Sequence, residues 1–437
     1  MYALLTGTFV FCILAMQGAV LRRFGLRARE FGALTVGVIL VGILLEGARL
    51  VKTIVTNVAR PPEFDFLAFW LFGHVALQYH DVYDPHFFHL LGDRLGPSYD
   101  FAHELLDVGC VYPPPSLMWF LPLGFVHDPR LAIALWSIAE IVVMAAALIA
   151  VARLWSDAPS ALDYLVVVAL ALAMHGTLEN MAASQLVYAA VLCVASGTSA
   201  RTSIGRGLWY GIALTVKPFL AFLVVGEMLQ RRPWTFFWAL ATVVALTAAV
   251  APALGLATII RYVGDNPIAR FPPILYLEPT NQSLLAWILR LTHAHPVHVM
   301  VAKQLPYLFV IGIVVASTIA VGLRHRVEPV TAGALFSTTG LFIYPQILTF
   351  YPVLLIVGYA ALWRRRAELP GAQVGVASFI GLDVALGNFQ AGHIAIFAVA
   401  LMWLVLIIVA RRDPTHELRR RVRGVNFLAL LSRARTV

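Results

Sequence analysis

Apolar runs of about 20 residues recur along almost the whole of this 437-residue chain. A helix needs about 20 mostly apolar residues to cross the hydrocarbon core of a bilayer. Hydrophobic residues make up 60% of the sequence and charged residues 13%, whereas soluble domains average about 45–50% and about 25%. A water-soluble fold could not bury this much apolar surface. We therefore predict an all-α polytopic membrane protein.

Twelve apolar runs are candidates for membrane segments. They are 2–21, 31–51, 131–153, 161–178, 182–198, 207–229, 234–257, 300–323, 330–344, 347–363, 373–388 and 392–410. The first run does not have the form of a signal peptide, because arginines follow it where a small-residue cleavage site would stand. Together these runs predict a single transmembrane domain over 1–410, followed by a basic tail over 411–437.

The positive charge of the chain is informative about its orientation. The formal net charge of +9 would suit a nucleic-acid-binding protein, but the basic residues stand in short clusters between apolar runs. Such clusters favour the cytoplasmic side of a membrane. The arginines at 22, 23, 27 and 29 therefore place the N-terminus outside, and alternation along the chain places the C-terminus in the cytoplasm.

One apolar run, 207–229, breaks this alternation. Arg231 and Arg232 follow it, and a crossing here would place all later basic turns outside. If the run instead enters and returns on the same side, every later basic turn lies in the cytoplasm. Its centre reads Lys217-Pro218, and proline interrupts a helix. We predict a re-entrant hairpin with Lys217 near its tip, which leaves about eleven spans.

Two extracytoplasmic segments are long enough to do more than connect spans: 58–130 and 258–299. The first holds nine carboxylates and six histidines. Its Asp65 follows a span and precedes an aromatic stretch, which we predict to be an interfacial helix facing lipid or the bundle. A carboxylate there could accept a proton from a hydroxyl substrate. It could equally be a helix N-cap.

Other polar features of these loops have simpler interpretations. His86 and His89 have a spacing that could bind a metal if helical, but interfacial histidines are commoner, and we predict no cofactor. Tyr112 and the prolines after it predict a rigid stop before a short helix at 116–126. The three cysteines are far apart, which argues against a disulfide framework or a cysteine-based zinc site.

A set of motifs resembles glycosyltransferase family 87. They are Asp65-x-x-x-Phe69-Trp70-x-x-Gly73-x-x-Ala76-Leu77, Val82-Tyr83-Asp84-Pro85, Val111-Tyr112-Pro113-Pro114, Lys217-Pro218 and Asn281-Gln282-Ser283-Leu284. The resemblance runs from about 60 to 360. One departure is Tyr344-Pro345-Gln346, where the family often has Ser-Pro followed by Trp and His.

The resemblance implies a bacterial inner-membrane enzyme of the GT-C superfamily, with its active site outside. It implies transfer of a sugar, mannose by preference, from a polyprenyl-phosphate donor to a hydroxyl of a glycolipid or glycan, with Asp65 as general base. The leaving phosphate needs cations, for which the candidates are Lys217, Arg261, Arg270 and Lys303. The candidate substrate-binding residues are Trp70, Tyr83, Asp84, Tyr112, Asn180, Asn281, Gln282 and Gln346.

The alternative from another class is a transporter that flips a lipid-linked sugar. Transporters place binding residues at broken helices and are often built from internal repeats. Lys217-Pro218 fits the first property. No matching halves are visible in the sequence, and the acidic, aromatic 58–130 segment has no evident use in a flippase.

Overall fold

The computed structural model describes residues 28–61, 66–95, 106–107, 109–265, 276–292, 304–365 and 395–411. Several predictions fall outside these ranges: the runs 2–21 and 373–388, the tail beyond 411, and the site residues Asp65, Arg270 and Lys303. The described residues form helices, with a single isolated β-bridge between Asn281 and Leu348. The all-helical fold is confirmed.

Sixteen α-helices are present in the described residues. They are α1 (Ala28–Ala59), α2 (Phe66–Tyr79), α3 (Pro85–Leu95), α4 (Pro129–Trp155), α5 (Ala161–Ala173), α6 (His175–Ala182), α7 (Val187–Ser199), α8 (Ser203–Val216), α9 (Ala221–Leu229), α10 (Pro233–Leu254), α11 (Leu256–Asp265), α12 (Leu284–Leu291), α13 (Leu305–Arg324), α14 (Pro329–Ile343), α15 (Leu355–Arg364) and α16 (Ala395–Arg411). Short 3-10 helices at 114–119, 121–125, 218–220 and 351–354 connect some of them.

Three of the described helices, α4, α10 and α13, are long and apolar enough to cross a membrane alone. The helices α5 and α6 pass the same test only as a pair, and they are bent by 66° at their junction. The remaining helices over predicted spans are shorter or less apolar. Membrane-spanning character is thus supported, while the number of eleven spans stays a prediction.

One end of the helical bundle collects the basic turns. Arg364 contacts Asp157 after α4 and Glu328 before α14, at 2.7 Å and 3.7 Å. The neighbouring Arg365 donates to the carbonyl of Val409 in the last turns of α16. These contacts bring the ends of four helices together, and we call this side of the molecule the basic end.

The hairpin 203–229 opens onto this same end. Glu227, near the end of α9, lies 3.3 Å from Arg206 at the start of α8 and 3.5 Å from Arg232. Gln230 donates to the carbonyls of Gly322 and His325 at the end of α13. Both ends of the segment therefore lie on one side, and Lys217 lies between its two arms. The structure thus has a hairpin over the predicted run 207–229, while its re-entrant position in the membrane stays a prediction.

The opposite end of the bundle carries the described part of 58–130, which the sequence predicts to be extracytoplasmic and which we call the first outer segment. The aromatic helix α2 was predicted to face either lipid or the bundle. It is almost entirely buried in the protein, so it faces the bundle. It packs backbone to backbone on the 3-10 helix at 121–125: a Cβ added to Gly73 would lie 2.5 Å from the carbonyl oxygen of Phe120 and 2.6 Å from the nitrogen of Gly124. Only glycine permits this approach.

Candidate functional site

Lys217 is a buried charged residue at the end of the hairpin that lies away from the basic end. It stands between α8 and the 3-10 turn at 218–220, with an extended backbone that ends the helix. Its side chain is 3% exposed. The ammonium donates to Gln185 Oε1 and to the Tyr351 hydroxyl, both at 3.2 Å. An ionisable group at such a break in a membrane segment is a functional candidate by default.

Three aromatic rings surround the Lys217 ammonium. The nitrogen lies 4.7 Å from the ring centroid of Tyr351 and 5.8 Å from those of Tyr112 and Phe350. At this range the negative faces of aromatic rings attract a cation and compensate part of its lost hydration. The three rings come from two outer loops far apart in sequence, so the site forms only when the bundle is assembled.

Tyr112 owes its position to the rigid prolines that follow it. The 3-10 helix at 114–119 begins with two prolines. Within that helix Ser116 donates to the carbonyl of Thr215, and Trp119 donates to the Thr215 hydroxyl. These bonds fasten the outer segment to the last turn of α8, two residues before Lys217. The carbonyl of Tyr112 accepts from the Tyr83 hydroxyl at 2.9 Å.

Asp65, the predicted base, lies outside the described residues, which resume at Phe66. Phe66 begins α2 and is fully buried. Phe69, one turn later, has its ring 5.9 Å from that of Tyr112, which in turn faces Lys217. Phe69, in the first turn of α2, is therefore linked to Lys217 through the ring of Tyr112.

Arg261, a predicted phosphate ligand, belongs to a different group of residues. It lies on α11 and forms an ion pair with Asp81. Tyr262 beside it packs against Tyr83 in a tilted arrangement, with ring centroids 5.0 Å apart. The structure thus brings Arg261 to the turn at 81–84. Lys217 has other neighbours, namely Tyr112, Gln185, Phe350 and Tyr351.

Most of the other predicted substrate-binding residues make bonds within the protein. Trp70 donates to the carbonyl of Val126, and Asp84 accepts from the backbone of His86 at the start of α3. Asn180 is fully buried beside Glu140. Gln346 is partly exposed. Substrate contact by these residues, and by Tyr83 and Tyr112, stays a prediction.

Asn281 and Gln282 join the second outer segment to the third. The Asn281 side chain donates to the carbonyl of Pro345. The backbone nitrogen of Gln282 donates to the carbonyl of Ile347 at 2.7 Å. The Gln282 side chain accepts from the nitrogen of Ala395. Both residues are buried. Their sugar contacts also stay predictions, and their visible role is to hold the loop that carries Tyr351.

The histidines of the outer segment have protein partners. His89 lies 2.9 Å from Asp107. In the described part of the chain, no group of three or more His, Cys, Asp or Glu side chains could hold a metal ion. His74 is buried next to His127 and contacts the carbonyl of Val126; burial chiefly lowers its pKa below 6.5. Burial also raises the pKa of the Cys110 thiol to about 12.

Gln185, Phe350 and Tyr351 were not among the predicted site residues. Each of them follows a helix that was predicted to end at the extracytoplasmic side. The sequence therefore indicated only that they lie near that side of the membrane. Gln185 stands in a tight turn after α6, and Tyr351 begins a 3-10 helix. Their partnership with Lys217 joins residues 32 and 134 positions away in sequence, which a single sequence without covariation cannot reveal.

Comparison with known families settles the relationship. The family model of glycosyltransferase family 87 matches residues 111–352, more than half of the chain. The chain belongs to glycosyltransferase family 87. Searches of curated proteins and of solved structures gave no match. The matched range contains Lys217, Gln185 and Tyr351, and it begins one residue before Tyr112.

Membership in glycosyltransferase family 87 makes the chain a membrane glycosyltransferase, with a sugar donor and an acceptor. Its helices suit this assignment, because the described part includes three that can cross a bilayer alone.

Proposed function

We propose that this enzyme transfers mannose from a polyprenyl-phosphate donor to a hydroxyl of a glycolipid or glycan, on the extracytoplasmic face of the bacterial inner membrane. The observation that carries the proposal is the buried Lys217 ammonium, held by Gln185 and Tyr351 at the break of a membrane hairpin. A fixed cation at that depth suits a phosphate whose lipid tail remains in the bilayer.

The side of the membrane follows from the two ends of the bundle. The basic end, with Arg206, Arg232 and Arg364, satisfies the positive-inside rule if it faces the cytoplasm. The hairpin opens on that end, so Lys217 points toward the other side. The site then faces the extracytoplasmic space, and α16 ends in the cytoplasm.

The proposed reaction is a single displacement. The acceptor hydroxyl oxygen forms a bond to the anomeric carbon of the donor while the bond from that carbon to the phosphate oxygen breaks. The hydroxyl proton passes to the Asp65 carboxylate, and polyprenyl phosphate leaves with an additional negative charge. Lys217 stabilises this charge in a site from which the surrounding protein excludes water, where a fixed cation is most effective.

The remaining candidates have supporting roles in the proposal. Arg261, Arg270 and Lys303 would attract the phosphate from the outer surface, since Arg261 is partly exposed. The rings of Tyr112 and Trp70 would face the sugar. No metal is assigned to the reaction, because Lys217 supplies the positive charge, and activity in the presence of EDTA is the corresponding expectation.

The experiment uses purified enzyme with radiolabelled polyprenyl-phosphate mannose and a bacterial lipid extract as the acceptor pool. We expect transfer of label in the wild type and a loss of more than a hundredfold in Asp65→Asn. The matched control is Asp93→Asn, an exposed carboxylate of the same outer segment, which should transfer normally. Transfer that survives Asp65→Asn contradicts the role of Asp65.

A second pair of variants tests the cation. Lys217→Met should lose most activity, whereas Lys52→Met, on the exposed surface of α1, should retain it. The flippase alternative predicts a different result: wild-type enzyme would move the labelled donor across liposomes but release no polyprenyl phosphate. Turnover of the donor to polyprenyl phosphate therefore excludes a pure transporter.

A further inference from the structure

Glu140 is a buried carboxyl that the proposed reaction does not use. It lies in the apolar helix α4, about 16 Å from Pro129 at 1.5 Å per residue, and is 6% exposed. Its Oε1 accepts from the Asn180 amide at 3.4 Å, while its Oε2 has no hydrogen-bond partner among the described residues. A carboxyl group is costly at membrane depth, so its presence calls for a function.

Asn180, the hydrogen-bond partner of Glu140, is connected to Lys217 by further hydrogen bonds. The side-chain oxygen of Asn180 accepts from the backbone nitrogen of Val187 at 3.1 Å. The backbone carbonyl of Asn180 accepts from the backbone nitrogen of Gln185 at 2.9 Å. Gln185 in turn accepts from Lys217. A continuous series of hydrogen bonds thus runs from Glu140 through Asn180 and Gln185 to the Lys217 ammonium.

The turn that presents Gln185 is strained and held from a second point on α4. Ser184 has φ of 52°, in the left-handed region that residues other than glycine seldom adopt. Its carbonyl accepts from Trp136 Nε1 at 3.0 Å. Trp136 and Glu140 are one helical turn apart, so a single face of α4 holds both Ser184 and Asn180.

We propose that Glu140 and Trp136 are positioning residues that fix Gln185, and through it Lys217, in the geometry that receives the donor phosphate. The inference rests on the proposed role of Lys217. Neither residue touches the substrate. Strain at a turn persists only where neighbouring bonds hold it, and these two side chains supply such bonds.

The test measures binding of farnesyl phosphate, a short polyprenyl phosphate, to the full-length enzyme in nanodiscs. Trp136→Phe keeps an aromatic ring but removes the donor to Ser184. We expect the Kd to rise about five- to tenfold, the change that corresponds to loss of about one hydrogen bond. The matched control is Trp155→Phe on the same helix. Its indole nitrogen has no hydrogen-bond partner in the part of the chain that the structure describes, and this variant should bind normally.

Glu140 is tested by two variants. Glu140→Gln keeps an acceptor for Asn180 and should bind as the wild type does, whereas Glu140→Leu should weaken binding as Trp136→Phe does. In a Gln185→Ala background Glu140→Leu should add no further loss, because the same link is already broken. A merely structural residue would lower thermal stability without this dependence on Gln185.

Three results overturn the proposal: unchanged binding in Trp136→Phe and Glu140→Leu, equal loss in Glu140→Gln and Glu140→Leu, or independent losses from Glu140 and Gln185. Lys217→Met separates this failure from that of the proposed function. If Lys217→Met binds farnesyl phosphate normally, the phosphate site itself is misplaced. If only Lys217→Met weakens binding, the positioning role alone is wrong.

Discussion

Arg206 Nη1 lies 3.3 Å from Glu227 Oε2, which joins the first turn of α8 to the last turn of α9. Both side chains are nearly buried, at 11% and 6% exposure. The pair closes the base of the hairpin whose other end carries Lys217. The position of the candidate catalytic cation therefore depends on an ion pair at the opposite end of the hairpin.

Removal of this carboxylate should destabilise the protein. Glu227→Gln leaves Arg206 and Arg232 without their shared counter-charge, and breaking a buried ion pair on one side costs about 3–5 kcal/mol. We expect the thermal unfolding midpoint in detergent to fall by several degrees. Asp157→Asn is the control, because this carboxylate, the partner of Arg364, is 87% exposed and exposed pairs contribute little. Equal losses in both variants would contradict this account.

The orientation of the basic end can be measured by labelling single cysteines in a background without the native ones. Arg231→Cys and Arg324→Cys, both exposed, should react only with reagent applied to the cytoplasmic side. Phe125→Cys, at a position that is 73% exposed at the other end, should react from the outside. Labelling of Arg231→Cys and of Arg201→Cys, which is also exposed and precedes α8, from different sides would show that 203–229 crosses the membrane.

Gly73 should not tolerate even alanine. The added Cβ would meet the backbone around Phe120 and Gly124, which cannot yield as a flexible side chain would. Overpacking of this kind costs about 1–3 kcal/mol, and it would displace the loop that carries Tyr112. We expect Gly73→Ala to lose both thermal stability and activity. Gly42→Ala, where nothing lies within 4 Å, should lose neither.

Stability should also fall in acid because of His74. Its pKa in the folded protein is below 6.5, chiefly because burial disfavours the charged ring. As the pH falls through 6.5, the unfolded state takes up the proton first, so the free energy of unfolding decreases. The loss continues until the pH is below the folded pKa. His74→Gln should make the unfolding midpoint less dependent on pH between 5 and 7, whereas the exposed His86→Gln should not.

The sequence was most informative about topology. Apolar length and the positions of arginines predicted the helical class, the meeting of the basic turns and the return of 203–229, because bilayer thickness and charge act on each segment locally. Helix α2 was predicted as a helix, but its burial beneath the 114–125 region depends on the Gly73–Gly124 approach. That contact joins segments that no periodic pattern connects.

The candidate site was predictable only in part. Lys217 stood out because a cation beside a proline is unusual within an apolar run. Its partners Gln185 and Tyr351 did not stand out in the sequence, since polar residues at helix ends are common. Only the tertiary fold determines which of them contact Lys217. Asn281 and Gln282 show the converse: their motif was visible, while their bonds to Pro345 and Ala395 appeared only in three dimensions.

The hairpin also constrains how the chain is inserted during synthesis. Its arms, α8 and α9, are 14 and 9 residues long, too short to cross the hydrocarbon core separately. Helix α8 packs against α10, where Trp238 lies against Gly207 and Thr242 lies against Gly211, whereas α9 packs against α14, where Phe336 lies against Gly226. The ribosome makes α14 well after the hairpin. The packing of α9 on α14 can therefore form only after α14 has been synthesised.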